Sequence, residues 1–248
     1  MTDNALPKLL RHPPSGGYTR GDETRQRIID SAIVLFGELG FEGASTRAIA
    51  RHAGVNTPAL QYYFENKEGL YITCADSLAT ESYLWFAPLL ARIELIKQPD
   101  NEACIEMFCQ MLETVLERVL NNNSVHQRRL FHVRIKMGQG PEKAATIFNE
   151  KLINHIHLAG VTLVARICGT STDDELTQIR TLALFGLATT FYTIKHPLYN
   201  AEIENSDAGK ENSDANKENS EFLAEKRALI KNTVREQCQV LMRSWQVK

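Results

Sequence analysis

"STRAIARHAGVNTPALQYYFENKEGLY", Ser45 to Tyr71, is the stretch on which the fold turns. Apolar residues recur three or four apart on both sides of Gly54, and Pro58 follows soon after. Two short helices joined by a tight turn satisfy this pattern. Such a crossing needs a small residue on the first helix, a turn residue tolerant of positive φ, and an apolar residue on the second. Ala50, Gly54 and Leu60 stand at those places, and Ile49, Val55 and Phe64 can complete the small core. Ser45 and Asn56 are good N-caps, and Pro58 sits in a first turn, where its missing N–H costs little. Arg47 and Arg51 lie in the run, and no acid appears before Glu65. The pattern fits a helix-turn-helix with an outer face suited to a DNA groove.

The outward residues carry the right chemistry. Gln61 can pair bidentately with adenine, and Thr57 and Ala59 can touch a thymine methyl. Arg47 can reach a guanine edge or a phosphate, and Tyr62 and Tyr63 can donate to phosphates. Asn66 caps the next helix, where Lys67 and a backbone amide can hold a phosphate. Spacing alone leaves the bland alternative open, since tyrosines at helical intervals often serve a core.

Outward from this stretch, the chain of 248 residues has room for one large domain or two modest ones, and its 43% apolar content supports a substantial core. The net charge of -2 hides an imbalance, because Ala201 to Glu221 holds seven acids and two lysines. "MTDNALPKLLRHPPSGGYTRG" is rich in proline and glycine, and residues 1–21 read as a mobile arm. Periodicity starts after Asp22, with Ile28, Ala32, Leu35, Phe36 and Leu39 on one face, and stops at Gly40. After the two short helices, another runs from Asn66 past Trp85 until Pro88 bends or ends it. Further helices are expected near 100–121, 124–137, 141–168, 172–195 and 221–246, with Thr172-x-x-Glu175 read as a capping box. No stretch shows strand alternation or a hairpin signal. The expected fold class is all-α with about nine helices, divided into a DNA-binding domain over 22–66 and a larger helical domain over 67–248.

"NSDAGKENSDANKENS", Asn205 to Ser220, repeats NSDA-x-KE and holds no apolar residue larger than alanine. It cannot repay the entropy of ordering, so 201–220 is expected to be a disordered acidic insertion. The five cysteines form no Cys-x-x-Cys pair, which favours reduced buried thiols in a cytoplasmic protein over disulfides or zinc. There is no signal-peptide core, and the longest apolar run, Thr181 to Ile194, is too short to span a bilayer.

"TRQRIIDSAIVLFGELGFEGASTRAIARHAGVNTPALQYYFENKEGLY" resembles the N-terminal domain of the TetR family of bacterial regulators. The features are the "A…LF…G" helix, "TRAIARHAGV" and "LQYYFENKEGL", in the family's order over about fifty residues. The resemblance implies a three-helix DNA-binding domain, a helical ligand and dimerisation domain, and repression relieved by a small effector. Carried over by position, base or groove contacts fall on Arg47, Thr57, Pro58, Ala59 and Gln61. Backbone contacts fall on Ser45, Thr46, Tyr62, Tyr63 and Lys67, beside the Asn56 cap. The family commonly has an aromatic where Gln61 stands, so the operator sequence does not transfer. The C-terminal half is similar to regulators with a CecR-type C-terminal domain.

The resemblance also implies that the last two helices pair with their copies in a four-helix interface. Leu182, Phe185, Gly186, Thr189, Val234 and Leu241 are the expected seam, with the intrachain core as the alternative. An effector pocket between helices would draw on Met107, Phe108, Met111, Phe131, Phe148 and Tyr192 for its walls, and on His132, Arg134, His155 and His157 for polar contacts. His155 and His157 are two apart and do not share a helical face, so no metal site is expected. No cofactor is expected either. The chain has no glycine-rich phosphate loop, no Gly-x-Ser-x-Gly elbow and no His/Glu metal motif, which argues against an enzyme. Two readings remain. One is a homodimeric repressor that binds a palindromic DNA operator and responds to an effector. The other is an architectural or partner-recruiting DNA-binding protein without one. A partly polar cavity in the C-terminal domain separates them.

Overall fold

The computed structural model describes residues 20–96, 99–120, 126–193 and 213–246. Its described residues form α1 (Arg20–Gly43), α2 (Thr46–His52), α3 (Thr57–Tyr63), α4 (Lys67–Leu95), α5 (Asn101–Leu120), α6 (His126–Lys136), α7 (Glu142–Phe148), α8 (Asn154–Cys168), α9 (Glu175–Thr193) and α10 (Ser213–Ser244). A π-helical turn, Asn149–Ile153, joins α7 to α8, so the two make one rod, and the all-α expectation holds with nine helices among the described residues.

α1 buries Ile28, Ile29, Ala32, Ile33 and Phe36, the stripe its spacing predicts. Gly40 interrupts it at φ 75°, and one further turn closes at Gly43. α2 and α3 then form the crossing. Gly54, at φ 65°, lets the Val55 N–H reach the Ala50 carbonyl at 2.9 Å while its own N–H reaches that of Arg51 at 3.2 Å. This pair of bonds is the Schellman closure of a helix, and it turns the chain sharply into α3. Ile49, Ala50 and Leu60 are buried at the crossing, and Phe64 seals its end.

α1 is tied to the larger domain chiefly through α6. Gly37 permits this, because a Cβ there would collide with the Gln127 carbonyl. Phe36, Phe41, Tyr71 and Phe131 knit α1, α4 and α6 together, with Tyr71 4.8 Å from Phe36 and 4.9 Å from Phe131, both edge-on. The Tyr71 hydroxyl donates to the Gln139 carbonyl at 3.0 Å, and burial pushes its pKa up to about 12.

The larger domain packs around α5, whose Cys104, Phe108, Met111, Leu112 and Leu116 are fully buried. α10 lies along it, held by pairs of Glu102 with Arg243, Glu117 with Lys231, and both Glu106 and Glu113 with Arg235. The five cysteines are free and buried. No helix among the described residues is long and apolar enough to cross a membrane.

Three expectations need correction. Pro88 does not end α4, which continues to Leu95. The N-cap of α9 is Asp174, whose Oδ2 accepts the Thr177 N–H at 2.8 Å, while the Thr172 carbonyl accepts from Gln178. The third concerns the acidic insertion: α10 already begins at Ser213, so residues 213–220 are helical backbone. A helix nucleated by its packed C-terminal part extends cheaply through Ala, Lys and Glu, whereas an isolated polar segment pays for nucleation. Residues 1–19 and 201–212, the remainder of the arm and insertion, lie outside the described residues.

Candidate DNA interface and effector cavity

The N-terminal face is assembled by caps. Ser45 Oγ accepts the Ala48 N–H at 3.1 Å, Asn56 Oδ1 accepts that of Ala59 at 2.8 Å, and Asn66 Oδ1 accepts that of Gly69 at 2.8 Å. Each cap uses an acceptor and leaves a donor, the Ser45 hydroxyl hydrogen or an amide NH₂, facing outward. Around them Arg47, Arg51, Pro58 and Gln61 are exposed, Tyr62 is 81% exposed, and Thr46, Thr57, Ala59 and Tyr63 are half-buried. Leu60 takes the inward side of α3, and Pro58, Gln61 and Tyr62 are exposed around it. Tyr62 and Tyr63 meet edge-on at 5.2 Å, which braces both rings. Lys67 differs from its expected posture. Its Nζ lies 3.4 Å from the Glu42 carbonyl and 4.5 Å from the centre of the Phe41 ring, so it also ties α4 to the end of α1.

A cavity of about 520 Å³ opens in the larger domain. α6 contributes His132, Val133, Lys136 and the following Met137; α5 gives Val115 and Arg118; α4 gives Ser82 and Phe86. The π turn and α8 supply Leu152, Ile153, Ile156 and His157, and α9 supplies Leu182, Phe185, Thr189 and Thr190. Among the described residues the lining is mostly apolar, with two cationic side chains and no carboxylate. His157 Nε2 is 2.7 Å from Gln178 Oε1. The His132 Nε2 is shielded from water, and burial together with the charges of Lys136 and Arg118 lowers its pKa to about 3. The imidazole is therefore neutral at physiological pH.

Few of the expected pocket residues are where they were expected. His132 and His157 line the cavity. Met107, Phe108 and Met111 are buried on the core sides of α5, and Phe108 only backs the lining residue Phe185 at 5.2 Å. Phe131 belongs to the aromatic cluster, and Phe148 meets the His132 ring at a tilt with centres 4.6 Å apart. Arg134 points the other way. Its Nε donates to the Gly37 carbonyl at 2.8 Å, Nη2 to that of Glu38 at 3.1 Å, and Nη1 to Gln139 Oε1 at 2.9 Å. His155 is exposed and meets Tyr83 edge-on at 5.3 Å. The Tyr192 side chain lies outside the described residues. Among the described residues no cluster of His, Cys, Asp and Glu could hold a metal ion.

The expected seam also divides. Leu182, Phe185 and Thr189 line the cavity, and Gly186 is half-buried beside them. Val234 is 5% exposed within the single chain, and Leu241 packs on the core, so both face inward. The strongest apolar stripe of α10 is its intrachain face. A weaker stripe stays bare: Phe222, Leu229 and Val240 on α10, and Leu176, Ile179 and Leu182 on α9.

Residues missed in the sequence were Ser82, Phe86, Val115, Arg118, Val133, Lys136, Met137, Leu152, Ile153, Ile156 and Thr190. One signal was available: Arg118 is a cation near the end of an apolar helix.

Comparison with known proteins agrees with this arrangement. Residues 28–74 match the family model of bacterial regulatory proteins of the tetR family. Residues 104–217 match that of the C-terminal domain of the HTH-type transcriptional dual regulator CecR. The CecR regulator of Shigella flexneri is 29% identical over 170 residues, covering 67% of this chain and 74% of its own. FadR of Bacillus subtilis, solved with stearoyl-CoA, shares the fold at TM-score 0.52 and 14% identity, over 86% of this chain and 96% of that one. AibR, solved with isovaleryl coenzyme A and operator DNA, does so at TM-score 0.52 and 16% identity, over 83% and 97%. With its helix-turn-helix and its helical C-terminal domain, the chain belongs to the TetR family of DNA-binding transcription regulators, which are not enzymes.

Proposed function

We propose that the protein is a homodimeric repressor that binds a palindromic operator and releases it when a small effector enters the C-terminal cavity. The observation that carries this reading is the double engagement of α6. One face of that helix offers His132, Val133 and Lys136 to the cavity, and the other fastens Arg134 to the end of α1. Anything that moves α6 from inside the cavity therefore moves the helix on which the DNA-reading unit sits. The alternative without an effector would suit a packed C-terminal domain, and a cavity of about 520 Å³, within the size range of ligand pockets, weighs against it. FadR and AibR, which share the fold, were solved with acyl-CoA molecules.

On the DNA, Gln61 and Arg47 read bases from α3 and α2, with Thr57, Pro58 and Ala59 against the groove wall. Ser45, Thr46, Asn56, Tyr62, Tyr63 and Lys67 hold the phosphates. The bare apolar stripe of α9 and α10 pairs with its copy and sets the two α3 helices about 34–36 Å apart, or somewhat more, to meet successive major grooves. The protein works in the cytoplasm, where its DNA is. The test is genomic mapping of bound DNA, followed by affinity measurements on the recovered sites. Recovered sites lacking a common palindrome, or a protein monomeric at micromolar concentration, refute the reading.

A further inference from the structure

We propose that the cavity takes an amphipathic anion: an apolar chain inside, and a negatively charged head held between Arg118 and Lys136. This rests on the effector reading above and adds the chemical class. Among the described residues the lining includes two cationic side chains and no carboxylate. Lys136 follows His132 by one turn of α6, and both Lys136 and Arg118 line the cavity with it. Arg118 is also steadied from outside, its guanidinium 5.7 Å from the centre of the Trp85 ring. Lys136 is exposed and closes the C-terminal end of α6. The walls also include Phe86, Leu152, Ile156 and Phe185. An uncharged apolar guest would leave the two cations unanswered, while a multiply charged polar guest would forfeit the apolar wall.

Two sources supply such a molecule, a free alkyl carboxylate and an acyl-CoA thioester whose phosphates provide the negative head. The experiment separates them. Calorimetric titration of the full chain uses alkyl carboxylates from hexanoate to tetradecanoate, the matched alcohols, and the matched CoA thioesters. The expected result is that the carboxylate or the thioester of some chain length binds, and that the matched alcohol binds at least about tenfold more weakly, the worth of one charge-assisted hydrogen bond. R118Q and K136Q should each weaken the anion about tenfold or more and leave the alcohol within about threefold. Thermal melting of both variants checks that they fold. Equal binding of alcohol and anion, an undiminished affinity in the R118Q/K136Q double variant, or no binding by either anionic series overturns the proposal. The same titrations repeated on the recovered DNA complex distinguish the two readings. Anion binding that needs both cations but leaves DNA affinity unchanged supports this inference and sinks the effector-release reading. Release of DNA by the alcohols does the reverse.

Discussion

Removing the Arg134 side chain tests whether α6 is fastened to α1. R134A deletes three hydrogen bonds, to the Gly37 and Glu38 carbonyls and to Gln139 Oε1. The two carbonyls lie where α1 approaches its break at Gly40, so they are acceptors at the negative end of a helix. A hydrogen bond to a charged group contributes about 1.5–3 kcal/mol when buried. Arg134 is only half-buried, and water can replace part of each bond. Two effective bonds at reduced strength give a loss of about 2 kcal/mol. For a chain of this size that lowers the melting temperature by about 4–8 °C. The assay is thermal melting by circular dichroism beside the wild type. Because Arg134 points away from the cavity, R134A should hold any cavity ligand within about threefold of the wild type, an energy difference under 1 kcal/mol. A melting temperature within about 1 °C of the wild type, a loss well under 1 kcal/mol, would show that the latch stabilises nothing. A tenfold loss of ligand affinity would return Arg134 to the pocket.

Q61A should cost about 1–3 kcal/mol against the preferred operator alone and leave the salt dependence of binding unchanged. K67A should weaken operator and scrambled DNA alike and lower the salt slope by about 1 per half-site. Equal weakening in Q61A, or selective weakening in K67A, contradicts these roles. L229E together with V240E should convert the proposed dimer to monomer in sedimentation while the melting temperature stays high, since both side chains are bare within one chain; an unchanged dimer refutes the proposed interface. Acid should expose His132. Its folded pKa of about 3 lies below the 6.5 of an unperturbed histidine, so the unfolded chain takes up the proton first as pH falls. Its contribution is intact above pH 6.5 and is lost between there and pH 3, at up to about 1.4 kcal/mol per pH unit. Denaturant titrations of H132F should show a shallower acid decline; the same slope as wild type refutes the assignment.

The helix-turn-helix was legible in the sequence because its signals are local. Gly54, the Ser45 and Asn56 caps, and the alternation of Ala50 and Leu60 each act within a few residues of themselves. The cavity was not legible, because it is a space left between five segments, and hydrophobic spacing reports that a residue is inward without saying toward what. Phe108 and Phe185 look alike in the sequence, yet one backs the wall and the other forms it. Arg134 failed for the opposite reason. A cation among apolar residues suggests a ligand, but here two main-chain carbonyls of α1 answer it. On α10 the inward stripe is the more apolar, so Val234 and Leu241 drew attention from the bare Leu229 and Val240.

The π turn between α7 and α8 has a consequence for how the length of this chain can change. A π turn absorbs one surplus residue and leaves the helix on either side in phase. Ala144 and Phe148 before it and Leu163, Val164 and Ile167 after it are all buried. Loss of a single residue from most of this rod would rotate everything beyond it by about 100° and turn those side chains out to water. Loss of one residue from Asn149–Ile153 would instead heal the turn to an ordinary helix, with both flanks still facing the core. What would change is the wall that Leu152 and Ile153 give the cavity. Here a one-residue deletion, usually ruinous inside a buried helix, becomes a way to reshape a binding site without unfolding the protein around it.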